Sequence, residues 1–410
     1  MKLIVHIDLN AFFVQVEELQ DPSLKSKCVA VGGNTSRSVV STANYAARKR
    51  GVNSGMSIKM AKELCPDLLI IDGNYRLYHD YSERFFNYLR NKFQKIEQTS
   101  VDECYIDMTP YFDKEHARDF LRDLQVDLFK ETDLKCSIGC GENRFLAKMG
   151  SDYQKPLGLT LIFKEDVERI LWPIPIEKMY GIGKKTAPKL INLGIKTIGD
   201  LAQTEDKKVK ELLGNSFLHY QNHANGEGSD ELNYGSFDPS SVSAARTFNE
   251  DTSDDDELSN MIIHLSKQVS KELKEHNKTA RCVIVTFRTS DFITTSKRMQ
   301  FDTYSNEAAK IASRALQIYE TYYDLTPLRL IGVGVADAIN VEDVQEQMNI
   351  FQVSRHRVKK NDVTIENIIE SLNKSSKIKF QKASEVKKQN KKKKKDGEYQ
   401  GRFHIPEEEK

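Results

Sequence analysis

The chain has 410 residues, of which 39% are hydrophobic, and this size suggests about two to four domains with real cores. The formal net charge is only +1, so no global basic excess indicates nucleic-acid binding. The six cysteines show neither Cys-x-x-Cys nor Cys/His zinc spacing, and we find neither a signal peptide nor a long apolar segment. These patterns argue against a secreted, zinc-bound or membrane-spanning protein. They favour a cytoplasmic one with reduced thiols.

The first predicted element is a buried strand, Leu3 to Ile7, which ends at Asp8. Phe12, Phe13 and Val16 follow at a spacing that places them on one helix face. One interpretation is that these side chains pack in a core. The other is that an aromatic ring lies beside whatever Asp8 binds.

A basic helix is the next feature, after short strands at 28–33 and 39–42. Tyr45 and Arg48 are three residues apart and share a helix face. Arg48 offers a bidentate fork and Lys49 a point charge, so this helix could neutralise a polyphosphate. A solvated helix end is the alternative.

Two adjacent carboxylates, Asp102 and Glu103, lie in a predicted hairpin between strands at 95–99 and 104–108. Neighbouring side chains of a regular strand face opposite sides, so this pair can act on one centre only at a strand end or a turn. Carboxylates at strand ends, here with Asp8 as the third, suit Mg²⁺, and a pair of such ions serves in-line phosphoryl transfer. The pattern is compatible with such a magnesium site, and a solvated turn is the alternative for an isolated Asp-Glu pair.

The remaining elements of this first part predict a mostly antiparallel sheet with its helices on one face and a small α/β insert. A long aromatic helix is expected before the hairpin, and a helix, a strand, a helix and a strand after it. Their predicted ranges are 75–93, 115–132, 135–140, from 145, and 159–163.

A helix-hairpin-helix motif is predicted at Tyr180 to Ala187. Gly181 and Gly183 would free backbone N–H groups at a helix N-terminus, beside Lys184 and Lys185. This pattern holds DNA backbone phosphate without reading sequence. An ordinary helical hairpin is the alternative.

The last part of the chain predicts a separate β-α-β-β-α-β domain followed by a docking peptide and a basic tail. The peptide contains Gln347, Met348, Ile350 and Phe351, and a fragment of a packed helix is its alternative explanation. The tail is rich in lysine from 374 to 395, and we expect it to be disordered.

These motifs together resemble the Y family of translesion DNA polymerases, and its bacterial polymerase IV branch in particular. The branch of the polymerase V catalytic subunit is the alternative. The matching segments cover most of residues 1–230 in the family's order. They are Asp8 to Phe13, Asn44 to Arg48, Ser100 to Glu103, Lys155-Pro156 and Gly181 to Gly183.

The resemblance implies an α+β, right-handed polymerase with an antiparallel palm sheet. The implied segments are the palm at 1–10 and 74–165, a small α/β fingers insert at 11–73, a helical thumb with the helix-hairpin-helix at 166–230, a linker at 231–241, a β-α-β-β-α-β little finger at 242–340 and a clamp-binding peptide at 341–353. The basic tail at 354–410, which we expect to be disordered, has no counterpart in this resemblance.

The resemblance also implies roles for single residues, with two Mg²⁺ ions as the cofactor. The implied groups are catalytic residues and metal ligands (Asp8, Asp102 and Glu103, with the Leu9 carbonyl as a further ligand), contacts to the incoming deoxynucleoside triphosphate (Phe12, Thr42, Tyr45, Arg48, Lys155), a steric gate against the ribose 2′-hydroxyl (Phe13), contacts to DNA phosphate (Gly181, Gly183, Lys184, Lys185) and contacts to the sliding clamp (Gln347, Met348, Ile350, Phe351).

The expected function is template-directed, low-fidelity extension of a primer past damaged template, without proofreading. The expected partners are primer-template DNA, the nucleotides and the clamp, and we expect a monomer that does not bind membranes. A nucleotide cyclase is an alternative, although it would need neither the helix-hairpin-helix nor a basic outer domain. A catalytically dead DNA-binding factor is another, which the intact Asp8, Asp102 and Glu103 disfavour.

Overall fold

The computed structural model describes residues 1–33, 35, 37–235 and 238–344. The predicted docking peptide around Gln347 to Phe351 and the lysine-rich tail therefore lie outside the described residues. The chain divides into two compact units, with the boundary between Ser236 and Phe237. Within the described ranges, every helix is too short or too polar to cross a membrane.

Eight strands and ten α-helices lie in the described residues of the first unit. Its strands are β1 (Ile4–Leu9), β2 (Val29–Gly32), β3 (Val40–Ala43), β4 (Leu69–Ile71), β5 (Ile96–Gln98), β6 (Glu103–Asp107), β7 (Cys136–Gly141) and β8 (Leu159–Ile162). Its helices are α1 (Phe12–Gln20), α2 (Tyr45–Lys49), α3 (Ile58–Leu64), α4 (Tyr75–Lys92), α5 (Ala117–Thr132), α6 (Arg144–Tyr153), α7 (Ala187–Asn192), α8 (Ile198–Gln203), α9 (Lys207–Leu213) and α10 (Phe217–Ala224).

Five of these strands form the central sheet, in the order β5-β6-β1-β7-β8. All neighbours are antiparallel except β7 and β8, as predicted for a mostly antiparallel sheet. The buried strand β1 lies in the middle. Its register places Asp8 opposite Glu103 on one side and opposite Ser137 on the other.

Helices cover both faces of this sheet, so the expectation of helices on one face is wrong. Val5, Ile7 and Leu9 point into a large core that also contains buried side chains of α4 and α5. On the opposite face α6 packs very closely, because the residue paired with His6 is Gly139. A Cβ at Gly139 would lie 2.0 Å from the Ala147 carbonyl oxygen. The glycine thus lets α6 lie directly against the strand ends.

A second, three-stranded sheet has the order β3-β2-β4. It packs with α2 and α3 around a small core of mostly short side chains, among them Ala30, Ala43, Ala47 and Ala61. This is the predicted α/β insert. Helix α1, which precedes it, belongs to the core of the central sheet through Phe12, Val14 and Val16.

The segment from residue 164 to 224 is helical, and its buried side chains form one core with Phe145, Leu146 and Met149 of α6. The sequence predicts five residues that pack this hairpin. Four of them are buried and the fifth, Leu193, is half-buried against the same core; the four are Leu190, Ile195, Ile198 and Leu201. The helix before Gly181 is a short 3-10 helix, Ile176–Lys178. Prolines at 173 and 175 remove backbone donors there, which explains the short helix.

The chain then returns along the central sheet. Arg144 N–H donates to the Ser229 carbonyl at 3.1 Å, and Asn233 N–H donates to Glu97 Oε2 at 2.9 Å. The predicted linker at 231–241 therefore begins as a segment held against the first unit.

The second unit has the predicted β-α-β-β-α-β order. Its elements are β9 (Val242–Thr252), α11 (Asp255–Glu275), β10 (Lys278–Thr289), β11 (Thr294–Ser305), α12 (Ala308–Tyr322), β12 (Leu328–Ala336) and the short β13 (Ile339–Asn340). The four long strands form an antiparallel sheet in the order β11-β10-β12-β9, with α11 and α12 in the same core. Basic side chains on the strands, including Arg246, Lys297 and Arg298, are exposed.

Candidate active site

Three carboxylates meet at one end of the central sheet. The antiparallel pairing of β1 and β6 places Asp8 directly opposite Glu103. The Leu9 N–H donates to the Asp102 carbonyl at 2.9 Å, which ties the hairpin turn to the end of β1. The predicted clustering of Asp8, Asp102 and Glu103 thus follows from strand register alone.

Ser100 fixes the shape of the turn. Its hydroxyl oxygen accepts hydrogen bonds from the N–H groups of Asp102 (3.2 Å) and Glu103 (3.1 Å). The same hydroxyl donates to Asp102 Oδ1 at 2.6 Å. The Asp102 carboxylate is therefore oriented by the turn that carries it.

Two lysines neutralise this cluster. Lys148 Nζ on α6 lies 2.8 Å from Glu103 Oε2 and 3.3 Å from Asp8 Oδ2. Lys155 Nζ lies 2.8 Å from Asp8 Oδ1 and 2.8 Å from Asp152 Oδ1. The predicted contact residue Lys155 thus reaches the carboxylates themselves.

The loop that carries Lys155 is held by Asn10, a buried residue just beyond β1. The Asn10 carboxamide accepts from the Leu157 N–H at 2.8 Å and donates to Ser137 Oγ at 2.9 Å. The Gly158 N–H also donates to Ser137 Oγ, at 3.2 Å. These bonds explain why a residue so distant in sequence lies beside Asp8.

The two carboxylates of the hairpin have opposite electrostatic settings. His6 and Lys148 hold the pKa of Glu103 well below its usual range. Burial raises the pKa of Asp102, and the neighbouring charges of Asp8 and Glu103 raise it further. Of these two carboxylates, Asp102 is therefore the one whose ionised form a nearby positive charge would stabilise more.

His6 lies beneath the cluster and is fully buried. Its Nδ1 is 2.8 Å from Ser151 Oγ, and its Nε2 faces Glu103 Oε2 at 3.4 Å without hydrogen-bond alignment. Burial lowers the pKa of His6, so the ring is neutral near pH 7. His6 supports the Glu103 side chain from below.

A pocket of about 230 Å³ opens beside Asp8 and Asp102. Every residue predicted to contact the nucleotide lines it. The lining comprises Asp8, Leu9, Ala11, Phe12, Phe13, Ser41, Thr42, Tyr45, Arg48, Ser54, Asp102 and Lys155. The structure therefore brings the predicted nucleotide residues together with two of the three carboxylates.

Arg48 and Tyr45 form the basic side of this pocket. Arg48 Nε donates to the Ala43 carbonyl at 2.7 Å and Nη2 to Thr42 Oγ1 at 3.2 Å. The guanidinium carbon lies 5.0 Å from the centre of the Tyr45 ring. The Tyr45 hydroxyl is buried and has no hydrogen-bond partner among the described residues. It can therefore donate to a bound oxyanion.

A strained turn separates the roles of the two phenylalanines. Ala11 adopts φ +47° and ψ +48°, a left-handed conformation that costs a non-glycine residue about 1 kcal/mol or more. Beyond it, Phe12 is 3% exposed and packs in the large core, whereas Phe13 is only half-buried. Phe13 thus presents the more accessible ring to the pocket.

The predicted phosphate contacts lie apart from this pocket, in the helical segment. Gly181 has φ +92°, and its carbonyl accepts from the Tyr220 hydroxyl at 3.0 Å. Lys184 and Lys185 are exposed in the following turn, directly before α7. The turn is thus an accessible basic surface.

Three residues of this cluster were not predicted from the sequence: His6, Lys148 and Asp152. Lys148 carried a signal, because it is a lone charge inside the apolar run from Phe145 to Met149. A buried lysine requires an anionic partner. Sequence spacing does not identify that partner, because strand pairing brings Asp8 and Glu103 together.

The donor set fits a hard divalent cation. Asp8, Asp102 and Glu103 offer carboxylate oxygens, and Leu9 lines the same pocket as Asp8 and Asp102. A ring nitrogen of His6 lies within 4.8 Å of the Asp8 and Glu103 oxygens. Oxygen-rich sets of this kind suit Mg²⁺.

Three family models match the chain. The impB/mucB/samB family model covers residues 7–152, the IMS family HHH motif covers 164–195, and the impB/mucB/samB family C-terminal domain covers 239–350. Together they span both units of the structure.

Curated relatives match nearly the whole length. DNA polymerase IV of Bacillus velezensis is 36% identical over 353 residues, which is 85% of this chain and 85% of the relative. DNA polymerase IV 1 of Bacillus subtilis is 35% identical over 381 residues, covering 91% of this chain and 90% of the relative. DNA polymerase IV of Lactococcus lactis is 37% identical over 340 residues, covering 81% and 93%.

Solved structures similar to this chain are also DNA polymerases. A Y-family DNA polymerase chimera of Dbh and Dpo4 has a TM-score of 0.72 at 25% identity and covers 82% of this chain and 99% of its own. A Dbh ternary complex has a TM-score of 0.59 at 25% identity and covers 83% and 100%. The chain therefore belongs to the impB/mucB/samB family, the Y family of DNA polymerases, and is a DNA-directed DNA polymerase resembling DNA polymerase IV.

Proposed function

We propose that this polymerase extends primers past damaged template by two-metal-ion nucleotidyl transfer, at a centre formed by Asp8, Asp102 and Glu103. The single observation that carries the proposal is the register that places Asp8 opposite Glu103, beside a pocket lined by Arg48 and Lys155. A carboxylate cluster next to a basic pocket suits a triphosphate and the cations that accompany it.

Asp8, Asp102, Glu103 and the Leu9 carbonyl would hold two Mg²⁺ ions. Such ions would supply activation of the primer 3′-hydroxyl and neutralisation of the charge that develops on the transferred phosphate and the leaving pyrophosphate. The elevated pKa of Asp102 supports this proposal, because added positive charge removes the repulsion from Asp8 and Glu103.

The basic side chains of the pocket would bind the triphosphate. The Arg48 guanidinium is already fixed by the Ala43 carbonyl and by Thr42 Oγ1, so little rotational freedom is lost on binding. The Tyr45 hydroxyl supplies a donor, and Lys155 a charge shared with Asp8. Phe13 would exclude the ribose 2′-hydroxyl by steric clash.

The first unit contributes only a small insert over this pocket, built from β2, β3 and β4 with α2 and α3. Selection of the nucleotide would therefore rest mainly on base pairing, which implies low fidelity and tolerance of lesions. The sequence contains no segment that resembles a 3′-exonuclease, so we propose that errors are not proofread.

Two partner surfaces complete the proposal. The turn with Gly181, Gly183, Lys184 and Lys185 would hold DNA backbone phosphate without reading sequence. The peptide from Gln347 to Phe351 would dock on the sliding clamp through Met348, Ile350 and Phe351.

The test is primer extension on matched templates with and without an abasic site. We expect Mg²⁺-dependent extension of both, with frequent misincorporation and no excision of a mismatched 3′ end. A complete stop before the lesion would contradict the translesion role, and removal of the mismatched end would contradict the absence of proofreading.

A further inference from the structure

The Lys148 side chain is both buried and surrounded by carboxylates. Its side chain is only 11% exposed, and its Nζ faces three carboxylates. The distances are 2.8 Å to Glu103 Oε2, 3.3 Å to Asp8 Oδ2 and 3.6 Å to Asp152 Oδ2. The Lys148 ammonium is therefore paired with the same carboxylates that form the site.

The backbone of Lys148 cannot move away from the cluster. It lies in α6, which is seated on Gly139 so tightly that a Cβ there would meet the Ala147 carbonyl. Ser151, one turn further, bonds the Lys148 carbonyl at 2.9 Å and His6 Nδ1 at 2.8 Å. Only the flexible end of the lysine side chain can change its partner.

Glu103 Oε2 and Asp8 Oδ2 belong to the carboxylates that would hold the metal ions in the function proposed above. Two cations that share carboxylate oxygens repel each other, and a partly buried setting screens this repulsion weakly. We propose that Lys148 is a resident counter-cation of this site, which competes with a divalent ion for Glu103 and Asp8 and is transferred to Asp152 when the ion binds. The inference rests on the proposed metal site.

Asp152 is suited to receive the ammonium. It lies one turn after Lys148 on the same helix, and its Oδ2 is already within 3.6 Å of Lys148 Nζ. It is also more exposed than Lys148, at 38% of its side chain, and it makes no contribution to the lining of the nucleotide pocket. Asp152 Oδ1 lies 2.8 Å from Lys155 Nζ, so Asp152 can pair with both lysines at once.

The test measures Mn²⁺ binding to the full chain, from the loss of the free-ion signal in electron paramagnetic resonance. Lys148→Met removes the competing charge and should bind Mn²⁺ about tenfold more tightly or better. Lys148→Arg keeps the charge and should stay near wild type. Arg144→Met is the matched control, because it removes a charge from the same helix that pairs with Glu97 instead.

A double-mutant cycle tests the transfer to Asp152. Asp152→Asn should weaken Mn²⁺ binding in the wild-type background, because the ammonium loses its alternative partner. The same change should have a smaller effect in the Lys148→Met background. Asp152→Asn alone tests the competition if Lys148→Met fails to fold, as judged by circular dichroism.

The outcomes separate this inference from the proposed site. If Glu103→Gln abolishes Mn²⁺ binding while Lys148→Met binds no more tightly than wild type, the counter-cation role is wrong and the site stands. If Asp152→Asn weakens Mn²⁺ binding equally in the wild-type and Lys148→Met backgrounds, the ammonium is not transferred to Asp152. If Glu103→Gln binds Mn²⁺ as wild type does, the proposed metal site and this inference both fail.

Discussion

The ring of Phe13 is stacked on the ring of Tyr78, with centroids 4.3 Å apart and planes 13° from parallel. Tyr78 is itself immobile, because it is buried and its hydroxyl donates to Glu17 Oε1 at 2.5 Å. Tyr75 adds an edge contact to Phe13 at 5.9 Å. The half-buried Phe13 ring is therefore held from one side while it lines the nucleotide pocket with the other.

Replacement of Phe13 by Ala should relax sugar selection. A held ring rejects a 2′-hydroxyl by clash and offers it no hydrogen bond, so its loss should raise ribonucleotide incorporation on the order of 100-fold or more. Deoxynucleotide use should fall only modestly. Single-turnover kinetics with matched ribo- and deoxyribonucleoside triphosphates measure the ratio.

Phe12→Leu is the control for this substitution. Phe12 is 3% exposed, so shortening it should lower the melting temperature while the sugar preference stays near wild type. If Phe13→Ala instead costs about 3–5 kcal/mol of stability and depresses both substrates equally, Phe13 is an ordinary core residue.

Sequence patterns predicted those parts of the site that strand ends dictate. Asp8 follows a buried apolar strand, and Asp102 with Glu103 lies at a hairpin turn, so their convergence required only that these strands be neighbours. The position of Lys148 beside the carboxylates could not be predicted from strand ends. It depends on α6 approaching the sheet at Gly139, a packing event that no local pattern encodes.

The same limit explains the errors in the fold. Periodicity shows that a helix has an apolar side, but not which face of a sheet receives it, and α6 covers the face opposite α4 and α5. The element order of the second unit agrees with the prediction, and both of its helices bury residues at a clear helical spacing.

Gly183→Val should weaken binding to primer-template DNA on all sequences alike. A Cβ at Gly183 would meet nothing within 4 Å, so the protein itself can accommodate the change and any loss reports on a close DNA backbone. Fluorescence anisotropy with two unrelated duplexes measures the dissociation constants. Unchanged values in a folded variant would remove this turn from the DNA contact surface.

Gly181 provides the contrast. It has φ +92°, and a Cβ there would lie 2.9 Å from the Tyr220 ring, so Gly181→Val should destabilise the helical segment as well as weaken DNA binding. A melting temperature equal to wild type for this variant would contradict that distinction.

Replacing Ile350 and Phe351 by Ala should abolish stimulation by the sliding clamp while unassisted synthesis continues. Apolar anchors of a docked peptide commonly contribute about 2 kcal/mol or more each to binding. A pull-down with the clamp, together with primer extension with and without it, checks both statements. Clamp affinity equal to wild type would show that the peptide does not dock there.

The stability of the helical segment should fall in mild acid through His223. This ring is stacked on Phe145 at 4.4 Å and 18°, and burial lowers its pKa to about 4. The folded state thus binds a proton less readily than the unfolded state, whose histidine pKa is near 6.5. The stability is fully present above pH 6.5 and is lost as the pH falls towards 4, by about 2 kcal/mol after allowance for partial exposure.

Trp172 reports this change locally, because it is the only tryptophan and its Nε1 donates to the Ala224 carbonyl at 3.0 Å. Urea unfolding followed by its fluorescence at pH 7 and pH 4.5 should show a smaller difference in His223→Phe than in wild type. Equal differences would assign the acid sensitivity to other groups.

The carboxylate centre is tested most directly by single-nucleotide incorporation with Asp102→Ala at saturating Mg²⁺. The control is Asp107→Asn, at the far end of β6, the strand that follows Asp102. Loss of a metal ligand forfeits several kcal/mol of charge stabilisation, so the rate should fall by about a thousandfold or more. DNA binding should remain near wild type, and Asp107→Asn should keep its activity. A near-normal rate for Asp102→Ala would contradict the proposed centre.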